Sequence, residues 1–271
     1  MQIQIDTLAY SNRLRHLPPA QKLWFALVAL ILALVAHYPV QIVIFAWMSV
    51  WIAIYAGIPH RVYGGMLLGV SVFLMTSLPA IAIEYANNIS PAMQVDALWQ
   101  MDVWGGQIYL SHRGVIRAIE LLIRCWASTS VLFFIVLTIP AIDLATTCQK
   151  IGCPTILIEL SLLIYRFIFL LADTAQTIVI AQVSRGGYRT QKLRMNSLNL
   201  LVQQLIQRTL SRYRQLTLSV NARGFDGEFK FWQPQSYRYS RRYANESIGG
   251  CVVLIIGEIL YRIYVWIFIR I

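Results

Sequence analysis

Long apolar runs, separated by short polar stretches, dominate the sequence. A helix needs about 20 consecutive apolar residues to cross the hydrocarbon core of a bilayer. Five runs come close to this length and predict membrane spans, at residues 23–36, 40–58, 62–83, 125–142 and 248–269. The first run is short, so its span must take in flanking residues, and it is expected to form a helical hairpin with the second.

Two more helices are predicted between the fourth and the last span. The segment 155–172 is apolar, but Glu159, Arg166 and Asp173 recur every seven residues and share one helix face. Since a lipid-facing span rarely carries such a stripe, we expect this helix to pack against protein. The segment 191–222 is amphipathic and too polar to span.

The segment 84–113 mixes acidic, aromatic and polar residues, which predicts a loop near the membrane interface, where Trp is common. The whole pattern therefore predicts an all-α, polytopic membrane protein with about five transmembrane helices and a helical cytoplasmic domain inserted before the last span. The predicted divisions are a membrane domain at 1–150, the inserted domain at 151–245 and a C-terminal transmembrane helix at 246–271.

Composition and charge agree with a membrane protein and orient it. Of the 271 residues, 58% are hydrophobic and 13% charged, against about 45–50% and about 25% in soluble domains. The segment 184–242 holds twelve basic residues against two acidic ones, a net charge of +10 out of +11 for the chain. Because basic residues concentrate on the cytoplasmic side, we expect a multi-pass membrane protein with a cytoplasmic N-terminus, and no nucleic acid partner.

Sequence motifs for catalysis are lacking. The chain contains no Gly-x-x-x-x-Gly-Lys-Ser/Thr phosphate loop, no Gly-x-Ser-x-Gly elbow and no His-Glu-x-x-His motif. Its four histidines have no pair at metal-ligand spacing, and its four cysteines are expected to be reduced. We therefore expect no catalytic residue, no metal site and no cofactor in this chain.

An acid and a base, Glu258 and Arg262, lie inside the last predicted span at a spacing that lets them pair on one helix face. Such a pair can be part of a polar path for a solute, or it can be a neutralised pair that locks the helix against the bundle. The second interpretation is favoured, because a path needs several such groups and the other spans offer few. Gly249 and Gly250, near the start of this span, are candidates for a close helix contact.

The most informative feature is a pattern at the ends of two successive predicted helices. The two ends read Ser184-Arg185-Gly186 and Ala222-Arg223-Gly224. Glycine in this place lets the chain adopt a positive φ and end the helix, and a basic residue in the last turn complements the helix dipole. Singly, each is an ordinary helix cap. Together, with the excess positive charge, they predict arginines presented to acidic grooves of a partner.

At these residues the chain resembles the transmembrane (T) component of energy-coupling-factor transporters, a branch of the ATP-binding-cassette importers. Members of that family end two cytoplasmic coupling helices with Ala-Arg-Gly-like motifs. Arg223 lies in a full match, and Arg185 lies in a partial match in which Ser184 replaces the usual alanine. The segment 6–22 is similar to the cobalt-type branch, called CbiQ, and the likeness covers most of the chain.

The resemblance implies a non-catalytic scaffold and coupling subunit of an ATP-driven importer. Arg185 and Arg223 would each dock into one of two cytoplasmic ABC ATPase subunits, and the spans would hold a substrate-capturing, CbiM-like membrane subunit. A small accessory membrane subunit is a further candidate partner, and the resemblance implies a place in the bacterial plasma (inner) membrane. ATP and the metal ion would be bound by these partners, and the substrate implied is cobalt for cobalamin biosynthesis, with nickel or a vitamin as alternatives.

Two other classes of function stay open at this point. A stand-alone secondary transporter would use the Glu258–Arg262 pair and would move solute without a partner. A membrane-anchored binding protein would use the segment 184–242 to contact anionic lipid or nucleic acid, with strong salt dependence.

Overall fold

A computed structural model of the chain describes residues 8–86, 97–103, 106–224, 237 and 239–270. Its helices are α1 Pro19–Val35, α2 Tyr38–Val50, α3 His60–Ala82, α4 His112–Thr138, α5 Ala141–Lys150, α6 Thr155–Ser184, α7 Gln191–Ala222 and α8 Arg241–Arg270. One turn of π-helix, Trp51–Tyr55, extends α2. The predicted helical, polytopic architecture is confirmed.

Proline sets the start of several of these helices. Pro18 and Pro19 open α1, Pro39 lies in the first turn of α2, and Pro154 immediately precedes α6. Proline suits the first turn because its ring fixes φ near the helical value and its missing N–H would have no partner there. In the hairpin predicted at residues 37–39, two residues separate the end of α1 at Val35 from the start of α2 at Tyr38, and Pro39 follows in the first turn.

In the described part of the chain, five helical segments are long and apolar enough to cross a membrane: Tyr38–Tyr55, His60–Ala82, His112–Thr138, Thr155–Ser184 and Arg241–Ile267. Four of them contain or overlap predicted spans. The first predicted span falls on α1, which has only 17 residues, and α6 meets the criterion although we expected it to pack against protein. Within this chain Arg166 and Asp173 of α6 are exposed, because the neighbouring helices do not cover the face that the seven-residue spacing gives them.

A small β-sheet forms in the described part of the segment 84–113, where a loop was predicted; residues 87–96 and 104–105 of that segment lie outside the described residues. Strands β1 Ile83–Ala86, β2 Ala97–Val103 and β3 Gly106–Ser111 form an antiparallel sheet in the order β1-β3-β2. The sequence of β2 alternates apolar and polar residues from Trp99 to Val103, a period typical of strands. The mixed composition of this segment led to the prediction of an interfacial loop. The short alternation of apolar and polar residues was a signal for β-structure that this prediction did not use.

The chain divides into two compact units, residues 1–140 with 236–271, and residues 141–235. The first unit packs α1, α2, α4 and α8 around one core. The face of α1 toward that core carries three fully buried small residues, Ala26, Ala29 and Ala33, beside the buried Phe25, whereas Trp24 is 60% exposed. Small residues inside and large apolar residues outside are typical of membrane helices, where close backbone approach drives association and lipid covers the rest.

A buried lysine and a buried asparagine hold the end of α4. Lys22 donates from Nζ to the carbonyl oxygens of Thr138 (2.8 Å) and Leu14 (3.2 Å), and Asn12 donates to the carbonyl of Leu137 (3.3 Å). The last carbonyls of a helix have no partner within it and carry its negative dipole end. The N-terminal segment therefore satisfies the end of α4, which directly precedes the second unit in sequence.

In the second unit, α5 packs on α6 and α6 packs on α7. The boundary of this unit at 141 lies ten residues before the start of the predicted inserted domain. The helix α8 packs in the first unit, against α1 and α2.

Candidate functional site

The two helix ends singled out in the sequence have nearly the same backbone geometry. Arg185 has φ −91° and ψ 9°, and Arg223 has φ −95° and ψ 10°. The glycine that follows each arginine has a positive φ, +72° at Gly186 and +71° at Gly224. The prediction that these glycines end α6 and α7 through a left-handed residue is confirmed, and the two arginines occupy equivalent places in their helices.

Backbone hydrogen bonds close both ends in the manner of a glycine cap. At the end of α6, Gly186 N–H donates to Val183 O (2.9 Å) and Gly187 N–H donates to Gln182 O (2.9 Å). At the end of α7, Gly224 N–H donates to Asn221 O (3.1 Å). These bonds satisfy carbonyls that the helix itself leaves open. Each arginine is therefore held at the last position of a closed, rigid helix end.

The remaining members of the two predicted motifs are open to contact. Ser184, Arg185, Ala222 and Arg223 are exposed. Neither arginine forms an ion pair with another residue in the described part of the chain. The hydroxyl of Ser184 donates to the carbonyl oxygen of Ile180 (3.0 Å), so this polar group is bonded within its own helix. The arrangement leaves each guanidinium available to a partner.

A hydrogen-bonded network that sequence reasoning missed ties the first helix end to α7. Gln182 donates to Ser197 O (2.9 Å), Ser197 donates from Oγ to Gly187 O (2.9 Å), and Tyr188 donates to the side-chain oxygen of Gln182 (3.0 Å). Ser197 is the buried residue of α7 that makes these contacts possible. Ser197 is one of many polar residues in a polar helix, so its sequence context does not indicate that it is buried. The Gly186-Gly187 pair is visible in the sequence, but it does not show which residue packs against it.

Replacing Gly187 with alanine should loosen this helix end. The new Cβ would lie 2.6 Å from Ser197 Oγ and 3.0 Å from Gln182 O, so one or the other must move, at a cost of about 1–3 kcal/mol. We expect faster amide hydrogen exchange in residues 185–198. The double variant G187A/S197A removes the closer of the two contacts and should recover part of the protection lost in G187A. Exchange in G187A equal to wild type would show that the network does not fix the helix end.

A second cluster surrounds the predicted pair in α8. Arg262 Nε lies 2.8 Å from Glu258 Oε1, as the spacing of four residues allows. His37 adds two contacts, from Nδ1 to Oε1 (2.7 Å) and from its backbone N–H to Oε2 (3.0 Å). His37 is the residue that begins α2, 221 positions away in sequence, so no local pattern could reveal it. The carboxylate, only 7% exposed, joins α8 to the first turn of α2.

This geometry fits a structural role, in which Glu258 holds α8 against the start of α2. Both oxygens of Glu258 are engaged, and one of them accepts an N–H that α2 cannot satisfy within its own first turn. In the part of the chain that the structure describes, no three His, Cys, Asp or Glu side chains come together in a way that could hold a metal ion. The geometry favours the interpretation of Glu258 and Arg262 as a neutralised pair that fixes the last helix. It adds that the contact is made with α2, through His37.

Replacing Glu258 separates the two interpretations of the pair. Glu258→Ala leaves the His37 N–H and Arg262 without their acceptor and should lower the free energy of unfolding by about 1–3 kcal/mol. Glu258→Gln keeps an acceptor oxygen and should cost less. Thermal unfolding of the purified protein in detergent measures both. Loss of transport in Glu258→Gln at unchanged stability would instead support a solute path.

A known protein family matches most of this chain. Residues 10–232 match the family model of CbiQ, described as cobalt transport protein. This chain belongs to the CbiQ family. The matched region contains both helix ends with Arg185 and Arg223, whereas Glu258 and Arg262 lie beyond it.

Individual CbiQ relatives cover most of the chain. It is 28% identical to the cobalt transport protein CbiQ of Salmonella typhimurium over 236 residues, 83% of this chain and 98% of the relative. It is 30% identical to the cobalt transport protein CbiQ of Rhodobacter capsulatus over 227 residues, 83% of this chain and 86% of the relative. A putative fused cobalt transport protein CbiMQ of Methanocorpusculum labreanum is 30% identical over 224 residues, 82% of this chain and 36% of that longer protein.

The CbiQ match and the five membrane-length helices together establish the general role. The chain is a multi-pass membrane protein and a membrane component of cobalt transport. It is a transporter component, as the description of the matching family states.

Proposed function

We propose that this CbiQ family member is the non-catalytic scaffold and coupling subunit of an energy-coupling-factor importer for cobalt. The observation that carries the proposal is the pair of matching helix ends, in which Arg185 and Arg223 have the same backbone conformation and the same glycine closure. Two arginines presented in the same way by one chain suit a partner that has two equivalent grooves. A dimer of cytoplasmic ATPase subunits is such a partner.

Arginine is well suited to this contact. Its planar guanidinium donates two parallel hydrogen bonds to a carboxylate and stays charged when it is desolvated. At the end of a closed helix its position follows that of the helix as a rigid body. When ATP draws the two ATPase subunits together, the ends of α6 and α7 shift with them, and the helices pass the motion on to the membrane.

Other subunits supply the chemistry. ATP binds to the ATPase subunits and the metal ion to a separate, CbiM-like membrane subunit. The existence of a relative named as a CbiM–CbiQ fusion supports this pairing, because fusion keeps two cooperating chains at equal number. In this arrangement the N-terminus and the basic segment at 184–242 lie on the cytoplasmic side.

Affinity purification of this chain from its native membrane tests the proposal. We expect two copies of an ABC ATPase subunit and one CbiM-like membrane protein to copurify in a defined ratio. ATP-dependent cobalt uptake should then require all of these components in vesicles. Cobalt flux through the purified chain alone would contradict the proposal and favour a secondary transporter.

A further inference from the structure

A polar groove lies between the two long helices of the second unit, well away from their Arg-Gly ends. It has a volume of about 390 Å³ and runs along residues 167–174 of α6 and 208–215 of α7. Its walls differ in chemistry. The α6 wall carries Phe167, Leu170 and Leu171, and the α7 wall carries Arg208 and Arg212 together with small polar side chains.

The two arginines form one feature of this groove. Arg208 and Arg212 are four residues apart, so they lie one turn apart on the same face of α7. Thr209, Ser211 and Gln215 stand beside them as further hydrogen-bonding groups. Among the described residues, no acid lines the groove and neither arginine forms an ion pair. The groove thus offers two guanidinium groups, unpaired by any described residue, next to an apolar wall.

The groove continues into a neighbouring cavity that contains one acid. That cavity, about 440 Å³, shares Phe167, Leu170, Arg212 and Gln215 with the groove and adds Arg166 and Asp173. Asp173 therefore offsets one of the three positive charges of Arg166, Arg208 and Arg212. The described lining of the two spaces together stays positive, so an anionic ligand is favoured.

The apolar wall indicates what kind of anion fits. The helix α6 is long and apolar enough to lie in a membrane, and Ile164 and Ile168, next to the groove, are 58% and 48% exposed. A free inorganic anion would gain no favourable contact from the apolar side chains of Phe167 and Leu170. A molecule with an anionic head and a hydrocarbon tail satisfies both walls at once, and basic pockets beside membrane helices bind lipid head groups in this way.

We propose that the groove between α6 and α7 binds one anionic phospholipid, with the phosphate held by Arg208 and Arg212 and an acyl chain lying along Phe167 and Leu170. The lipid would link the basic helix α7 to the bilayer at a point separate from Arg185 and Arg223. This site stands on its own observations and does not depend on the docking of ATPase subunits.

The test compares two variants that lose the same charge. Arg208→Gln/Arg212→Gln removes the two groove arginines, and Arg194→Gln/Arg214→Gln removes two arginines of α7 that do not line the groove. The full-length chain is purified in mild detergent and titrated with phosphatidylglycerol, with bound lipid counted by native mass spectrometry. The groove variant should bind about thirtyfold more weakly, since each basic residue contributes about a fivefold factor. The control variant should bind like wild type.

Three results would overturn the proposal. Equal losses in the two variants would mean that the basic surface attracts lipid without a site. Equal binding of phosphatidylcholine would remove the role of the anionic head. Displacement of the lipid by inorganic phosphate at a concentration similar to that of the lipid would assign the groove to a free anion. Circular dichroism of both variants confirms that they are folded before they are compared.

Discussion

Replacing both Arg185 and Arg223 with alanine is expected to release the ATPase subunits from this chain and to abolish ATP-driven cobalt uptake. Each guanidinium is exposed at a rigid helix end and has no ion pair in the described chain. Truncating one partner of a buried interfacial charge pair typically costs about 2–5 kcal/mol, so two losses should weaken the assembly more than a thousandfold. Copurification of ATPase subunits with the double variant measures the first effect, and cobalt uptake into vesicles measures the second.

The control for this variant keeps the same change in charge. Arg194→Ala/Arg214→Ala removes two positive charges from α7 without touching either helix end, and it should leave assembly and uptake close to wild type. The single variants R185A and R223A should each retain one attached helix end and show intermediate copurification. A double variant R185A/R223A that keeps full ATP-coupled uptake would show that the helix ends do not dock.

Replacing Gly250 with valine is expected to be the most destabilising single change in the membrane unit. A Cβ built on Gly250 would overlap the indole ring of Trp47, which lies in α2 and packs edge-on against Phe25 with ring centroids 5.2 Å apart. The Trp47 ring also contacts Trp51, with ring centroids 6.4 Å apart, so either this aromatic cluster must rearrange or α8 must withdraw from α2. Overpacking of this kind typically costs about 1–3 kcal/mol, and a clash with a fixed ring falls at or above the upper end. The midpoint of thermal unfolding in detergent measures the loss.

The adjacent glycine supplies a matched control. A Cβ at Gly249 meets no atom within 4 Å, so Gly249→Val changes the same residue type in the same helix turn without a clash. We expect Gly249→Val to unfold near the wild-type temperature. Equal destabilisation by the two variants would mean that helix propensity, and not contact with Trp47, explains the effect of Gly250→Val.

The features that could be predicted from the sequence are local in the chain. The end of a helix at an Arg-Gly step depends on the φ of one glycine, and the Glu258–Arg262 contact depends on a spacing of four residues. Both lie within one helix turn, where pattern and geometry are closely related. The same applies to the hairpin at Pro39 and to most of the membrane spans.

The features that could not be predicted depend on residues far apart in sequence. His37 reaches Glu258 across 221 positions, and Ser197 reaches the Gly187 carbonyl between two helices. The Gly249–Gly250 doublet was visible, but only the packing of Trp47 shows that Gly250 makes the contact. The charged residues of α6 led us to expect protein contacts, whereas a 30-residue helix of high apolar content meets the length of a membrane span.

The central claim is that the ends of α6 and α7 move when ATP binds to a partner, and a distance between them tests it most directly. Ser184 and Ala222 are exposed neighbours of the two arginines, so spin labels can be attached there through cysteines in a chain whose four native cysteines are replaced by serine. The distance is measured by electron paramagnetic resonance in the purified complex, without nucleotide and with ATP trapped. We expect two distinct distance distributions in the complex that interchange with nucleotide state. In R185A/R223A, which should not retain the ATPase subunits, we expect a single distribution that is the same with and without ATP. A single distribution unchanged by ATP in a complex active in cobalt uptake would contradict the central claim.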